Sequence, residues 1–171
     1  MLTAQRIIKL LQLEPLPIEG GYFRQTYRSA EMIDHAALPE RYPHGKATGS
    51  AIYFFLHEDN FSALHRLFTD EVYHFYLGNP VEMLLLYPDG ASERVVLGTD
   101  LDAGQQVQVV VPHGVWQGSR LSPGGRFALM GTTMAPAYDT SDFELGECEV
   151  LVQQYPARAD WIRALTREVG C

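Results

Sequence analysis

Long apolar runs are missing from this 171-residue chain. None approaches the ~20 consecutive apolar residues that carry a helix across a bilayer. The opening residues, Met1 to Arg6, also lack the basic-then-apolar pattern of a secretory signal. Both absences predict a soluble, cytoplasmic protein. Lysine is scarce: Lys9 and Lys46 are the only two, and the arginines are scattered. With 13 Lys+Arg against 21 Asp+Glu, the formal charge is −8. Nucleic acids and anionic membranes are gripped by clustered positive charge, so neither is expected as a partner. Cys148 and Cys171 form no C-x-x-C pair and are too few for a disulfide scaffold. They read as the thiols of a reduced protein, one buried and one frayed. Repeats and low-complexity stretches are absent.

What is present suits one globular core. Apolar residues make up 46% and charged residues 20%, a balance that excludes disorder as the main state. The length fits one domain over 1–171. The ends look helical. Thr3 is placed to N-cap a helix through Gln12, with Ile7, Ile8, Leu10 and Leu11 on one broad face. After Pro156, Trp161, Ile162 and Leu165 share helical spacing.

Between the ends, short Val-, Ile-, Tyr- and Phe-rich runs are broken by turn residues. They predict strands at 22–27, 50–56, 62–68, 71–77, 81–87, 92–97, 106–111, 116–120, 127–133 and 148–153. Pro88-Asp89-Gly90 marks one hairpin turn, and Gly78-Asn79-Pro80 marks another break. Strands at this spacing predict an all-β sandwich or barrel. Residues 29–49 carry Pro39, Pro43 and Gly45 and few apolar residues, so they read as a long loop with room for one helical turn, of the kind that serves as a lid.

The chemistry concentrates in two stretches. In the first, 62–78, side chains alternate between faces. Ala63, His65 and Leu67 share one face of the first strand, and Glu71, Tyr73 and Phe75 share one face of the second. If both faces point inward, His65 and Glu71 meet near one end of the barrel and His74 points outward. In the second stretch, 104–118, a Pro-x-Gly turn opens a strand on which Trp116 points out and Gln117 in. Arg24, after Gly20-Gly21, reads equally as an anion clamp reaching the cavity or as a surface ion pair. Tyr53 and Phe75 read as core or pocket lining. Tyr27, Tyr53 and Tyr73 are candidate acids. Glu144 reads as a turn cap or the partner of an arginine, and His113 as an exposed turn residue.

These stretches resemble the cupin superfamily. Its first motif, G-x5-H-x-H-x3,4-E-x6-G, is matched by His65, Glu71 and Gly78, with Leu67 at the second histidine position. Its second, G-x5,7-P-x-G-x2-H-x3-N, is matched by Gly104, Pro112 and Gly114, with Gln117 in place of the histidine. Five further segments are similar to the small cupins of unknown function called cupin type 5. They are Glu19-Gly-Gly-Tyr-Phe-Arg-Gln-Thr-Tyr-Arg-Ser29, Ala51-Ile-Tyr-Phe-Phe-Leu56, Asp70-Glu-Val-Tyr-His-Phe-Tyr-Leu-Gly78, Val111-Pro-His-Gly-Val-Trp-Gln-Gly118 and Asp142-Phe-Glu-Leu-Gly146. The resemblance implies a double-stranded β-helix, the cupin jelly roll, with short terminal helices, and a homodimer. The general cupin metal site has three histidines and a glutamate. Here the corresponding donors are His65, Glu71 and Gln117, which leaves either no cofactor or a single divalent metal ion.

Three functions are compatible with these residues. The first is a small polar ligand (a sugar, nucleotide sugar or small acid) bound inside the barrel, with metal-independent isomerase or epimerase chemistry. There His65, Glu71 and Tyr73 are the catalytic candidates, and Arg24, Tyr53, Phe75 and Gln117 contact the ligand. The second is a metal-dependent oxygenase or isomerase using His65, Glu71 and Gln117. The third is a ligand-binding protein without chemistry.

Overall fold

A computed structural model of the chain describes residues 2–167. The helix α1 (Ala4–Leu11) is capped by the Thr3 side chain on the Arg6 amide, and Gln12 ends it in the left-handed conformation. The strands follow as β1 (Glu14–Pro15), β2 (Tyr22–Arg28), β3 (Met32–Ile33), β4 (Lys46–Ala47), β5 (Ser50–His57), β6 (Ser62–Arg66) and β7 (Glu71–Gly78). Then come β8 (Val81–Leu86), β9 (Ser92–Leu97), β10 (Gln108–Val111), β11 (Trp116–Leu121), β12 (Phe127–Met134) and β13 (Glu144–Leu145). The chain closes with α2 (Cys148–Gln154) and α3 (Ala159–Ala164). Two antiparallel sheets, ordered β1-β2-β5-β12-β7-β10 and β13-β6-β11-β8-β9, make the expected all-β jelly roll with short terminal helices.

Alternation sorts the side chains into three cores. Phe54, Leu56, Phe75, Met83, Leu85, Val109 and Met130 fill the space between the sheets. On the back of the five-stranded sheet, Leu64, Leu84, Leu86 and Trp116 pack under α2 and α3. On the back of the six-stranded sheet, Phe55 and Leu129 pack under α1 through Ile7 and Leu13. Gly78, at φ +111°, ends β7 where any Cβ would run into the Phe127 carbonyl.

Two expectations are corrected. The apolar run at 148–153 is not a strand but the helix α2. Cys148, Leu151 and Tyr155 recur at three and four residues, so all three enter one core from one helical face. Cys148 is buried as expected, yet it is disulfide-bonded rather than a reduced thiol. Cys171 lies outside the described residues. Among the described residues, no helix is long and apolar enough to cross a membrane.

Residues 29–49 are fastened to the rest of the chain as a cover. They contain the β3–β4 hairpin and a 3-10 turn, His35–Ala37. Tyr42 is fully buried and shares a 2.9 Å hydrogen bond with Thr69. The Arg41 Nε donates to the Phe68 carbonyl at 2.8 Å. Lys46 forms a buried ion pair with Asp142, across from the hairpin. Asp142 closes the 3-10 turn Thr140–Asp142, where its carboxylate also accepts from the Asp139 amide.

Candidate functional site

The inner faces of β6, β7, β11 and β12 place polar side chains at one end of an otherwise apolar barrel. His65 on β6 lies directly opposite Gln117 on β11. Glu71 and Tyr73 lie on β7, opposite Met134 and Thr132 of β12. All but Met134 are polar, and His65, Glu71, Gln117, Thr132 and Tyr73 are each buried. The structure thus brings together His65, Glu71, Tyr73 and Gln117, with Phe75 one inward step deeper.

Hydrogen bonds define what each group can do. The His65 Nδ1 lies 2.7 Å from the Ala63 carbonyl. A carbonyl only accepts, so Nδ1 carries the proton and Nε2 is left as the free position. That Nε2 lies 3.9 Å from the Glu19 carboxylate. Phe143 stacks on the imidazole at 5.2 Å and fixes its plane. The Gln117 Nε2 donates to Glu71 at 2.8 Å.

Burial sets the electrostatics. It pushes the Glu71 carboxyl above the usual glutamate range. Glu19 adds to the rise, and His65 with the Thr132 and Gln117 hydrogen bonds opposes it. Burial, and then the Glu71 and Glu19 charges, hold the Tyr73 phenol well above its ordinary value, so it stays a donor. At the rim, Tyr138 is pushed up to about 12 by burial and then by Glu19, Asp142, Glu71 and Asp139. Gln117 Oε1 and Ser119 Oγ, both buried, have no hydrogen-bond partner. Native interiors satisfy nearly all such atoms.

Other expected residues lie elsewhere. The structure does not bring Arg24 or Tyr53 to this cluster. Tyr53 packs on the outer face with the α1 core, and the Arg24 guanidinium lies 5.4 Å above its ring. The surface pairing expected as the other role for Arg24 is thus made with an aromatic ring rather than a carboxylate. Tyr27 is exposed at the end of β2. His74 points outward and bonds Thr133 at 2.8 Å. Glu144 pairs with Arg66 outside the barrel, and His113 pairs with Asp70. Glu19, Thr132, Tyr138 and Phe143 join the site without having been singled out. Glu19 and Phe143 stand inside quoted segments, but nothing in their spacing points them inward. Surface pockets of about 530 and 460 Å³ lie against 120–125 and against Trp116 and Tyr155. Neither touches the cluster.

The metal that the resemblance raises does not fit these donors. Leu67 supplies no ligand atom where the second histidine would stand. Gln117 turns its amide nitrogen, not its oxygen, toward Glu71. Among the described residues, no three His, Cys, Asp or Glu side chains converge as a metal-binding group, whereas divalent sites with imidazole and carboxylate need at least such a triad.

Comparison with known proteins agrees with the fold. A protein from Shewanella oneidensis, SO0799, is 34% identical and superposes with a TM-score of 0.87 over 99% of this chain and 100% of its own. A hypothetical protein from Leishmania major is 28% identical, also at 0.87, over 98% and 100%. The uncharacterized yeast protein YML079W is 28% identical over 144 residues, 77% of this chain and 71% of that protein. Bacillus subtilis oxalate decarboxylase, at 13% identity and a TM-score of 0.53 over 37% of its length, shares the fold alone. The family model described as the cupin superfamily (DUF985) matches residues 5–146. With most of the chain inside that match and the barrel built as its motifs require, this protein belongs to the cupin superfamily, in the DUF985 family.

Proposed function

We propose that the polar end of the barrel binds a small polar molecule and moves a proton on it, as an isomerase or epimerase does. One observation carries this reading: a buried acid–base cluster in an apolar barrel leaves Gln117 Oε1 and Ser119 Oγ without partners. In this reading His65 Nε2 takes a proton from a carbon next to a carbonyl. Glu71, held toward its protonated form, returns one. Tyr73 donates to the oxygen on which negative charge develops, and the Gln117 oxygen accepts from a ligand hydroxyl.

Solvent-deuterium exchange tests the chemistry. The protein is incubated with reducing sugars in D2O, and exchange at the carbon next to the carbonyl is followed by NMR. Exchange above the rate in buffer is expected. A ligand that raises the melting temperature but exchanges no proton would reduce the reading to a binding protein without chemistry.

The same reading includes a twofold dimer. β1 covers β2 only at Tyr22 and Phe23, so the edge beyond them is open, and Tyr27 there is 56% exposed. Open edges favour pairing with a second copy. Sedimentation at micromolar protein is expected to give twice the chain mass. A stable monomer at that concentration would remove the dimer.

A further inference from the structure

The site is one-sided in both charge and hydrogen-bonding sense. Glu19 and Glu71 face it, and their influence reaches Tyr138 at the rim. His65 is the basic side chain turned toward them, its Nε2 3.9 Å from Glu19; among the described residues no lysine or arginine is shown doing so. Lys46 is held by Asp142, and Arg66 by Glu144. Arg24 lies over Tyr53 on the outer face. Arg41 donates to the Phe68 carbonyl, and Arg28 to the Tyr138 carbonyl.

The open hydrogen-bonding positions have the same bias. Gln117 uses its amide nitrogen on Glu71, so its buried oxygen is what remains. His65 uses Nδ1–H on Ala63, so the Nε2 acceptor remains. Glu19 Oε1 accepts from Ser62 at 2.6 Å, and its Oε2 is turned to His65. Ser119 Oγ lies opposite Ser62 and is unpartnered. Acceptors predominate, and a complementary molecule must bring donors. An added ammonium favours the ionised form of Glu71 and pairs with it, whereas an added anion holds Glu71 protonated and meets the Glu19 carboxylate with no lysine or arginine beside it.

We infer that the ligand is a small amino-polyol, entering through hydroxyl and ammonium groups and carrying neither phosphate nor carboxylate. The inference rests on the binding reading above and narrows it, because it excludes the nucleotide sugars and small acids that the sequence left open.

Matched probes separate the two. Melting temperature and calorimetric affinity are measured on the full chain at neutral pH. The probes are glucosamine, galactosamine and mannosamine, each with its neutral sugar, its 6-phosphate and its aldonic acid. At least one amine is expected to bind, and at least about tenfold more tightly than its phosphate and acid counterparts. Glu71→Gln is expected to erase the preference for amine over neutral sugar, and Arg24→Ala to change nothing. A phosphate or acid that binds as tightly as its amine would overturn the inference and leave the binding reading intact. No binding by any member of the set would count against the binding reading itself.

Discussion

Replacing Lys46 by methionine is expected to destabilise the protein by about 3–5 kcal/mol in urea unfolding at neutral pH. The Lys46 and Asp142 side chains are 1% and 0% exposed. Methionine keeps most of the stem and its packing beside Tyr42 but removes the charge. Asp142 is then left with the Asp139 amide as its remaining donor, and its Oδ1 already has no partner. An uncompensated charge in such a site is far more damaging than the pair is stabilising.

The double variant Lys46→Met with Asp142→Asn removes both charges and keeps a side-chain oxygen for the Asp139 amide. It is expected to recover most of the loss, a coupling readable from a double-mutant cycle. The same pair fastens the 29–49 cover to the turn that carries Phe143 over His65. Limited proteolysis within 29–49 should therefore speed up in the single variant and return toward normal in the double. A loss under about 1 kcal/mol in the single variant, in the range of exposed pairs, would mean that the cover is not held here.

The second large effect is chemical. His65→Ala is expected to lower proton exchange into an accepted sugar by about 10²–10⁴-fold, the usual contribution of a positioned base. His65 is singled out because its tautomer is fixed by the Ala63 carbonyl and its plane by Phe143. Alanine leaves a gap the size of the ring, so added imidazole should restore part of the exchange in the variant and add nothing to the wild type. Rescue of that kind is not produced by a generally loosened structure. Exchange unaffected by the substitution would place the base elsewhere.

Much of this site was legible because strand alternation is a strong rule. Once 62–66 and 71–78 are strands with apolar neighbours, His65, Glu71, Tyr73 and Phe75 must point inward together. Gln117 follows from the same rule on β11. Three things were not legible. The run at 148–153 is apolar enough for either element, and only its helical spacing, with Tyr155 included, separates α2 from a strand. Arg24 follows two glycines and looks free to reach inward, but its place on β2 opposite Tyr53 decides its face. Glu19 and Phe143 lie on loops, and Lys46 and Asp142 sit in a two-residue strand and a three-residue turn, all too short to show a periodicity. Their partners are up to 96 residues away in the chain, and only the folded cover brings them together.

The central claim is that Glu71 sits in the barrel interior against the interest of stability, kept there for what it does to a ligand. Burial raises its pKa in the folded state above the value of 4.5 that the unfolded chain would show. The folded protein therefore holds a proton that the unfolded chain has released, and the contribution of Glu71 to stability falls as pH rises from about 4.5 through the folded-state value. Glu71→Gln removes that titration. Its new amide can bond the unpartnered Gln117 oxygen once the Gln117 amide rotates. The decisive measurement is the unfolding free energy of wild type and Glu71→Gln side by side from acid to mildly alkaline pH. The difference should be small below about pH 4.5 and should grow in favour of the variant as pH rises, while the variant loses the amine preference. A variant less stable than wild type by a constant amount at every pH would make Glu71 a structural hydrogen-bonding residue and contradict the claim.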